Sequence, residues 1–232
     1  MIEEKMYKII LLDLDNTLLN FDLAEKEAFK KITHDYDINY NDEIYMNYKK
    51  VNEEYWSKFE KGLISKERLV IERFEEVFKN ILNNTDFQIL NSKFLNYLSE
   101  IIFYEDNALS ILKYLHAKYR IIIVTNGVIG VQEKRLKISG INKYIDGVVY
   151  SEEAGFNKPK IEYFEFVFKK YNLNNLSKKD FIIIGDSLES DIKGANNLKI
   201  DCIWYNGKNI NADFNLKIKY IIKDLKEIKK IL

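Results

Sequence analysis

Asp13 and Asp15 stand two residues apart at the end of the apolar run Ile9-Ile10-Leu11-Leu12, with Thr17 two positions further on. In an extended chain successive side chains alternate faces, so both carboxylates share one side and Leu14 takes the other. Carboxylates that close repel, and both stay ionised only when a cation joins them; otherwise one holds a proton. Such a pair offers cation binding and proton transfer. Three further segments carry chemically capable residues. Thr125-Asn126-Gly127 closes the run that begins at Arg120, Asn157-Lys158-Pro159 carries a lysine, and Gly185-Asp186-Ser187 closes Phe181–Ile184, with Asp191 five residues beyond Asp186. Each has an ordinary explanation by itself: a turn, a surface charge, a helix cap. Together they supply acids, a hydroxyl beside backbone N–H groups, and a cation, which is the equipment for holding an anion next to a hard metal ion.

The elements that must position these residues follow from the pattern. Ile9–Leu12 reads as a parallel strand buried on both faces. After Thr17 the pattern turns helical for about 85 residues. Asp22 is expected to cap a helix through Lys31 or beyond, with Glu25 completing a capping box; helices follow over Asp42–Glu60, from Ser65, and up to Glu100. Leu69, Phe74 and Phe78 mark the apolar side of the third, and Asn83-Asn84-Thr85 the loop after it. From Asp106 helices and strands alternate: Ala108–Lys118 helical, Arg120–Thr125 strand, Val131–Ser139 helical, Gly147–Tyr150 strand. Pro159 is expected in the first turn of a helix through Tyr171, Phe181–Ile184 forms the fourth strand, a helix starts near Leu188, and Cys202–Trp204 is the fifth strand. In the tail, Tyr220–Ile222 is a short apolar run and Asp224 is expected to cap a helix with Leu225, Ile228 and Leu232 on one face.

The expected fold is therefore α/β: a Rossmann-like three-layer core around a parallel sheet, residues 1–18 and 107–232, with an inserted four-helix cap over 19–106. Ligands of such sheets bind at the carboxyl ends of the strands, and the insertion leaves the first strand at that edge.

Composition narrows the function. Lys plus Arg and Asp plus Glu both number 36 in 232 residues, so no broad positive field invites nucleic acid or anionic membrane. The start, Met1-Ile2-Glu3-Glu4-Lys5, carries acids where a leader peptide carries bases, and the following apolar run is too short to span a bilayer. The single cysteine, Cys202, sits in a strand pattern and has no partner for an internal disulfide, which suits a cytoplasmic setting.

The four segments, taken as Asp13–Thr17, Thr125-Asn126, Lys158 and Gly185–Asp191, resemble the motif set of the haloacid dehalogenase (HAD) superfamily, which consists mostly of phosphatases; the helical insertion sits where that family's C1 cap sits. The resemblance implies roles. Asp13 would take the phosphoryl group and Asp15 would protonate the leaving alcohol, then activate water. Thr125 and the Asn126 backbone would hold phosphate oxygens, and Lys158 would neutralise charge. Mg2+ would be bound by Asp13, the Asp15 carbonyl and Asp186, with Asp191 orienting Lys158. Such a division suits phosphate monoesters, whose transferred group bears heavy negative charge.

Phe21–Ala28, Trp56–Ile64, Ser151–Gly155 and Gly185–Gly194 are similar to the pyrimidine 5′-nucleotidase branch, which implies a pyrimidine nucleoside monophosphate such as dUMP, dTMP or UMP as the small-molecule partner. Phe21 and Trp56 are the candidates to stack on a base, against the plainer reading that both only pack. The chain is expected to work as a monomer or small homo-oligomer. The rivals are a phosphatase for sugar phosphates or phosphoglycolate, a phosphomutase, and a non-catalytic binding protein on the same scaffold; metal-free dehalogenation is disfavoured by Asp15 and Asp186.

Overall fold

The computed structural model describes residues 7–211 and 215–232. The acid-bearing start, residues 1–5, lies outside the described residues.

Two compact units form. One joins the first strand, through Phe21, to Phe103–Leu232; the other is Asp22–Ile102. In the first unit β1 (Ile9–Leu12), β2 (Arg120–Thr125), β3 (Gly147–Tyr150), β4 (Phe181–Gly185), β5 (Asp201–Tyr205) and β6 (Tyr220–Ile222) make one sheet in the order β3-β2-β1-β4-β5-β6. Every pairing is parallel. Isoleucine, leucine and valine dominate β1, β2 and β4 because both faces are covered: Ile9, Leu11, Ile122, Val124 and Ile183 join one buried cluster. Ile10, Leu12, Ile121 and Ile123, of the opposite parity, are equally buried.

The chain grows outward in one direction from β1 to β2 and β3, then returns to add β4, β5 and β6 on the other side. That reversal beside β1 opens the crevice in which open α/β sheets bind ligands. Register brings the strand ends level, with Leu12 opposite both Ile123 and Ile184.

The second unit contains α2 to α4 and all but the first residue of α1 (Phe21–Asp35); the others are α2 (Asp42–Glu60), α3 (Lys66–Phe78) and α4 (Phe87–Glu100). Its interior is aromatic: Phe29 stacks on Tyr48 at 4.4 Å, Tyr48 on Phe74 at 5.4 Å, and Phe94 meets Phe74 edge-on at 5.0 Å. Around the sheet lie α5 (Ala108–His116), α6 (Ile129–Ser139), the single turn α7 (Ser151–Ala154), α8 (Ile161–Lys170) and α9 (Lys193–Leu198). None of the described helices is long and apolar enough to cross a membrane.

Four local expectations are corrected. Helix α1 begins at Phe21, whose N–H is capped by the Asn16 side chain at 3.0 Å, so Asp22 lies inside the first turn. Glu25 turns into the helical unit, so neither residue forms the expected capping box. Helix α8 begins at Ile161 because Lys160 is extended (ψ 139°), leaving Pro159 in the turn before it. The segment after β4 opens as a π-helical turn, Leu188–Ile192, before α9 takes over. Asp224 does cap the tail, with Glu227 completing a capping box, but Leu225–Lys230 is a 3-10 helix. At three residues per turn Leu225 and Ile228 share the buried side, while Leu232 stays half-buried.

Candidate active site

Asp13 is the first residue past β1, and its N–H donates to the Ile184 carbonyl of β4 at 2.9 Å. This pins the carboxylate over the sheet's central edge, where it is nearly inaccessible. Beyond it the chain turns sharply, with Asn16 left-handed at φ 56°. Thr17, fully buried, donates to Asp13 Oδ2 at 3.1 Å and lies 3.5 Å from Asp186 Oδ1.

Lys158 is buried and its ammonium has three protons to place. It donates to Asp13 Oδ1 at 2.7 Å, Asp191 Oδ1 at 2.6 Å and the Val124 carbonyl at 2.9 Å. All three are used. Burial works against its charge, but Asp13 and Asp191 outweigh that and keep the ammonium protonated far above its ordinary range. The loop bearing it is clamped by Asn126, whose amide donates to the Lys158 carbonyl at 3.1 Å and accepts from the Lys158 N–H at 2.9 Å. The Asn126 side chain thus has a structural task, besides the backbone N–H role expected for the residue.

Asp191 reaches this group from the π-helical turn by passing over Gly185. A Cβ on Gly185 would lie 2.2 Å from Asp191 Oδ2, so only glycine leaves the space. The second oxygen of Asp191 accepts from the Ser187 N–H at 3.2 Å. Trp204 of β5 donates its indole N–H to the Asp186 carbonyl at 2.8 Å, fixing that residue's backbone.

Asp15 is held differently. Arg135 Nη1 donates to its Oδ1, and Gln132 Nε2 donates to its Oδ2 at 2.5 Å. Gln132 also donates to Thr125 Oγ1 at 3.2 Å, and its own oxygen accepts from Arg135 at 3.0 Å. Thr125 Oγ1 takes a second hydrogen bond, from the Gly127 N–H at 3.0 Å. Both of its lone pairs are therefore occupied, and the hydroxyl has only its proton to offer. A hydroxyl in that state is a donor for an anion.

Asp13, Asp15, Thr125, Asn126, Lys158, Asp186 and Asp191 are thus joined at one sheet edge. Phe21 lies at the start of α1, with the Arg135 guanidinium 5.6 Å from its ring centroid. Trp56 belongs to the helical unit, where it meets Phe59 edge-on at 5.7 Å. Sequence reasoning missed Gln132 and Arg135. Their signal is helical spacing: Val131, Gln132, Arg135, Leu136 and Ser139 form the buried side of α6, and two of the five are strongly polar. Polar groups on a buried helix side need partners, which is a reason to search for them.

One carboxylate oxygen each from Asp13, Asp186 and Asp191 lie within 4.8 Å of one another. Both oxygens of Asp191 are engaged with Lys158 and the Ser187 N–H, and those of Asp13 with Lys158 and the Thr17 hydroxyl, which leaves Asp186, 3.5 Å from Thr17, the least committed of the three donors for a divalent ion. Charge agrees. Four carboxylates, those of Asp13, Asp15, Asp186 and Asp191, face Lys158 and Arg135, with Lys208 also acting on Asp186, so acids outnumber bases at the site. Burial raises the Asp13 carboxyl despite Lys158, and burial together with Asp13 and Asp191 raises Asp186 well above its usual range. A hard cation would relieve both, so the residues fit Mg2+.

A family model described as haloacid dehalogenase-like hydrolase matches residues 7–199. YfnB of Bacillus subtilis, described as a HAD-type hydrolase, is 34% identical over 202 residues, 87% of this chain and 85% of that protein. The crystal structure of YfnB bound to magnesium superposes with a TM-score of 0.91 at 33% identity, covering 98% of this chain and 99% of the other. The pyrimidine 5′-nucleotidase PynA of Streptococcus pneumoniae is 33% identical over 86% of this chain and 84% of its own. The pyrimidine 5′-nucleotidase YjjG of Escherichia coli is 28% identical over 96% of each.

Proposed function

The chain belongs to the haloacid dehalogenase-like hydrolases, and from that membership we propose that it is a Mg2+-dependent phosphomonoesterase acting through an aspartyl-phosphate on Asp13. The observation that carries this reading is the grouping of Asp13 with Lys158, Asp186 and Asp191 at the end of β1. Asp13 and Asp186, with the Asp15 carbonyl, would hold Mg2+, which would supply positive charge against the phosphoryl oxygens. Lys158 cancels charge on the nucleophile, and Asp191 holds Lys158 in place. The Thr125 hydroxyl donates to a phosphate oxygen, with the Asn126 backbone beside it.

Two displacements follow. An Asp13 oxygen bonds to phosphorus as the ester P–O bond breaks, and the Asp15 carboxyl gives its proton to the departing oxygen. Water then bonds to phosphorus, the Asp13–P bond breaks, the water's proton passes to Asp15, and inorganic phosphate leaves. Splitting the reaction spares the enzyme one very slow step.

For the substrate, the reading is a pyrimidine nucleoside 5′-monophosphate. The nucleotidase names carried by PynA and YjjG support it, as do the Phe21–Ala28 and Trp56–Ile64 stretches. Phe21 and Trp56 remain the candidate base contacts. Phosphate release from dUMP, dTMP and UMP, measured with Mg2+ beside a triose phosphate and phosphoglycolate, tests this. Preference for the nucleotides is expected, and preference for the small acids or sugars would overturn the substrate assignment. Release of free phosphate also separates hydrolysis from a mutase. The Asp13→Asn variant is expected to lose turnover by at least about 10³-fold.

A further inference from the structure

We propose that Gln132 and Arg135 form a positioning pair that fixes Asp15 for proton delivery and, through Gln132, sets Thr125 as an anion donor. This deepens the phosphomonoesterase reading and rests on it. The two residues stand one helical turn apart on α6, both buried, and every polar atom of Gln132 is committed: one amide proton to Asp15, the other to Thr125, the oxygen to Arg135. Arg135 is buried and its Nη1 donates to Asp15 Oδ1, so the guanidinium and the carboxyl group fix each other's position. Among the described residues the Arg135 Nε and Nη2 atoms are buried with no hydrogen-bond partner, and Asp15 and Gln132 accept from its Nη1. Phe21 limits where its plane can go, with its ring centroid 5.6 Å from the guanidinium carbon.

The consequence for Asp15 is geometric. Each carboxylate oxygen has two lone-pair sites. Arg135 takes one on Oδ1 and Gln132 takes one on Oδ2, so rotation of the carboxylate is arrested while one site on each oxygen stays open for the moving proton. Space for this arrangement is built in at Gly127, where a Cβ would lie 2.2 Å from Gln132 Nε2. Any larger residue there must push Gln132 out of its bridge. One amide nitrogen thus ties the proton donor for the leaving group to the hydroxyl that receives the phosphate.

The test separates positioning from support of the fold. An alkyl phosphate expels an alkoxide, which needs a proton, whereas p-nitrophenolate leaves without one. The quantity read is kcat/KM, which covers capture of the phosphoryl group and departure of the alcohol. The Gln132→Met variant keeps size and loses the bridge without adding charge; it is expected to lose about 10²-fold on an alkyl phosphate and less than about 10-fold on p-nitrophenyl phosphate. Arg135→Lys is expected to fall less than Arg135→Met on the alkyl ester, because it keeps the charge and loses only the fork. Should Arg135→Met fail to fold, Gln132→Met decides alone. Equal losses on both esters, or no loss on either, would overturn the inference while leaving the hydrolase reading intact. A wild-type protein that cleaves neither ester with Mg2+ would overturn the hydrolase reading, and the positioning role with it.

Discussion

Asp191 owes its place to the absence of a side chain six residues earlier. Its carboxylate occupies the space where the Cβ of any residue but glycine at position 185 would stand, 2.2 Å from Oδ2. Gly185→Ala is therefore expected to push Asp191 off Lys158 and the Ser187 N–H. Lys158 would keep Asp13 and the Val124 carbonyl but lose one of its two anionic partners. We expect a loss of about 10²-fold in kcat with a smaller change in KM, since geometry at the nucleophile matters more than ground-state binding. Unchanged kcat would show that Asp191 tolerates displacement. At this scale Asp13, Asp15 and Asp186 were legible in the sequence, because apolar strands ending in acids are a local pattern, whereas Lys158 and Asp191 stood out only beside the other segments, since each alone reads as a surface charge or a helix cap. Gln132 and Arg135 were not, because what they do depends on which side of α6 is buried, and only the packed helix shows that. The capping role expected of Glu25 failed for a related reason. The spacing from Asp22 suited a capping box, but Asn16, five residues before Phe21, had already capped the helix.

Glu25 shows what an element does with such a residue. In the helical unit its carboxylate accepts from Tyr48 at 3.0 Å and Asn52 at 2.8 Å, and Asn52 in turn accepts from Arg73 at 2.6 Å. Arg73 lies among the Tyr48, Phe74 and Phe94 rings, so charge is relayed across an aromatic core. Burial outweighs Arg73, the Tyr48 hydroxyl and Lys49, and with Asp22 adding repulsion it pushes the Glu25 carboxyl up to about 7. The folded state thus binds a proton that the unfolded chain releases near the ordinary glutamate value of about 4.3. This contribution is complete below that value and is lost as the pH rises through about 7. The difference is on the order of 3 kcal/mol. In urea unfolding, Glu25→Gln is therefore expected to gain stability relative to the wild type between pH 5 and pH 8. Trp56 reports the helical unit and Trp204 the sheet unit. A variant that instead loses stability at pH 8 would mean that the Arg73 relay outweighs burial. The alternating helices and strands of the core were readable from periodicity alone. The π-helical turn at Leu188–Ile192 was not, since Asp191 must be brought back over Gly185 and no local propensity encodes that.

Across the whole molecule the chain balances 36 basic against 36 acidic residues, yet the balance is not local. Four carboxylates gather at the carboxyl ends of β1 and β4 and outnumber the cations that act on them, Lys158, Arg135 and Lys208, with Asp13 and Asp191 largely out of water. Folding the sheet unit without a cation must work against that repulsion, so a divalent ion should act as a stabiliser as well as a cofactor. A ligand that binds only the folded state at about 100 times its Kd adds roughly 2.7 kcal/mol. For a chain of this size each kcal/mol shifts Tm by about 2–4 °C, so saturating Mg2+ should raise Tm by roughly 5–10 °C. The shift should appear in the Trp204 signal, because Asp13, Asp186 and Asp191 all belong to the sheet unit, whether or not the helical unit follows. Chelation should reverse it. Asp186→Asn removes the least committed carboxylate and part of the repulsion together, so it should raise the metal-free Tm while abolishing the response to Mg2+. A metal response that survives Asp186→Asn would place the ion elsewhere, and an unchanged metal-free Tm would mean that the excess charge is already neutralised by protons.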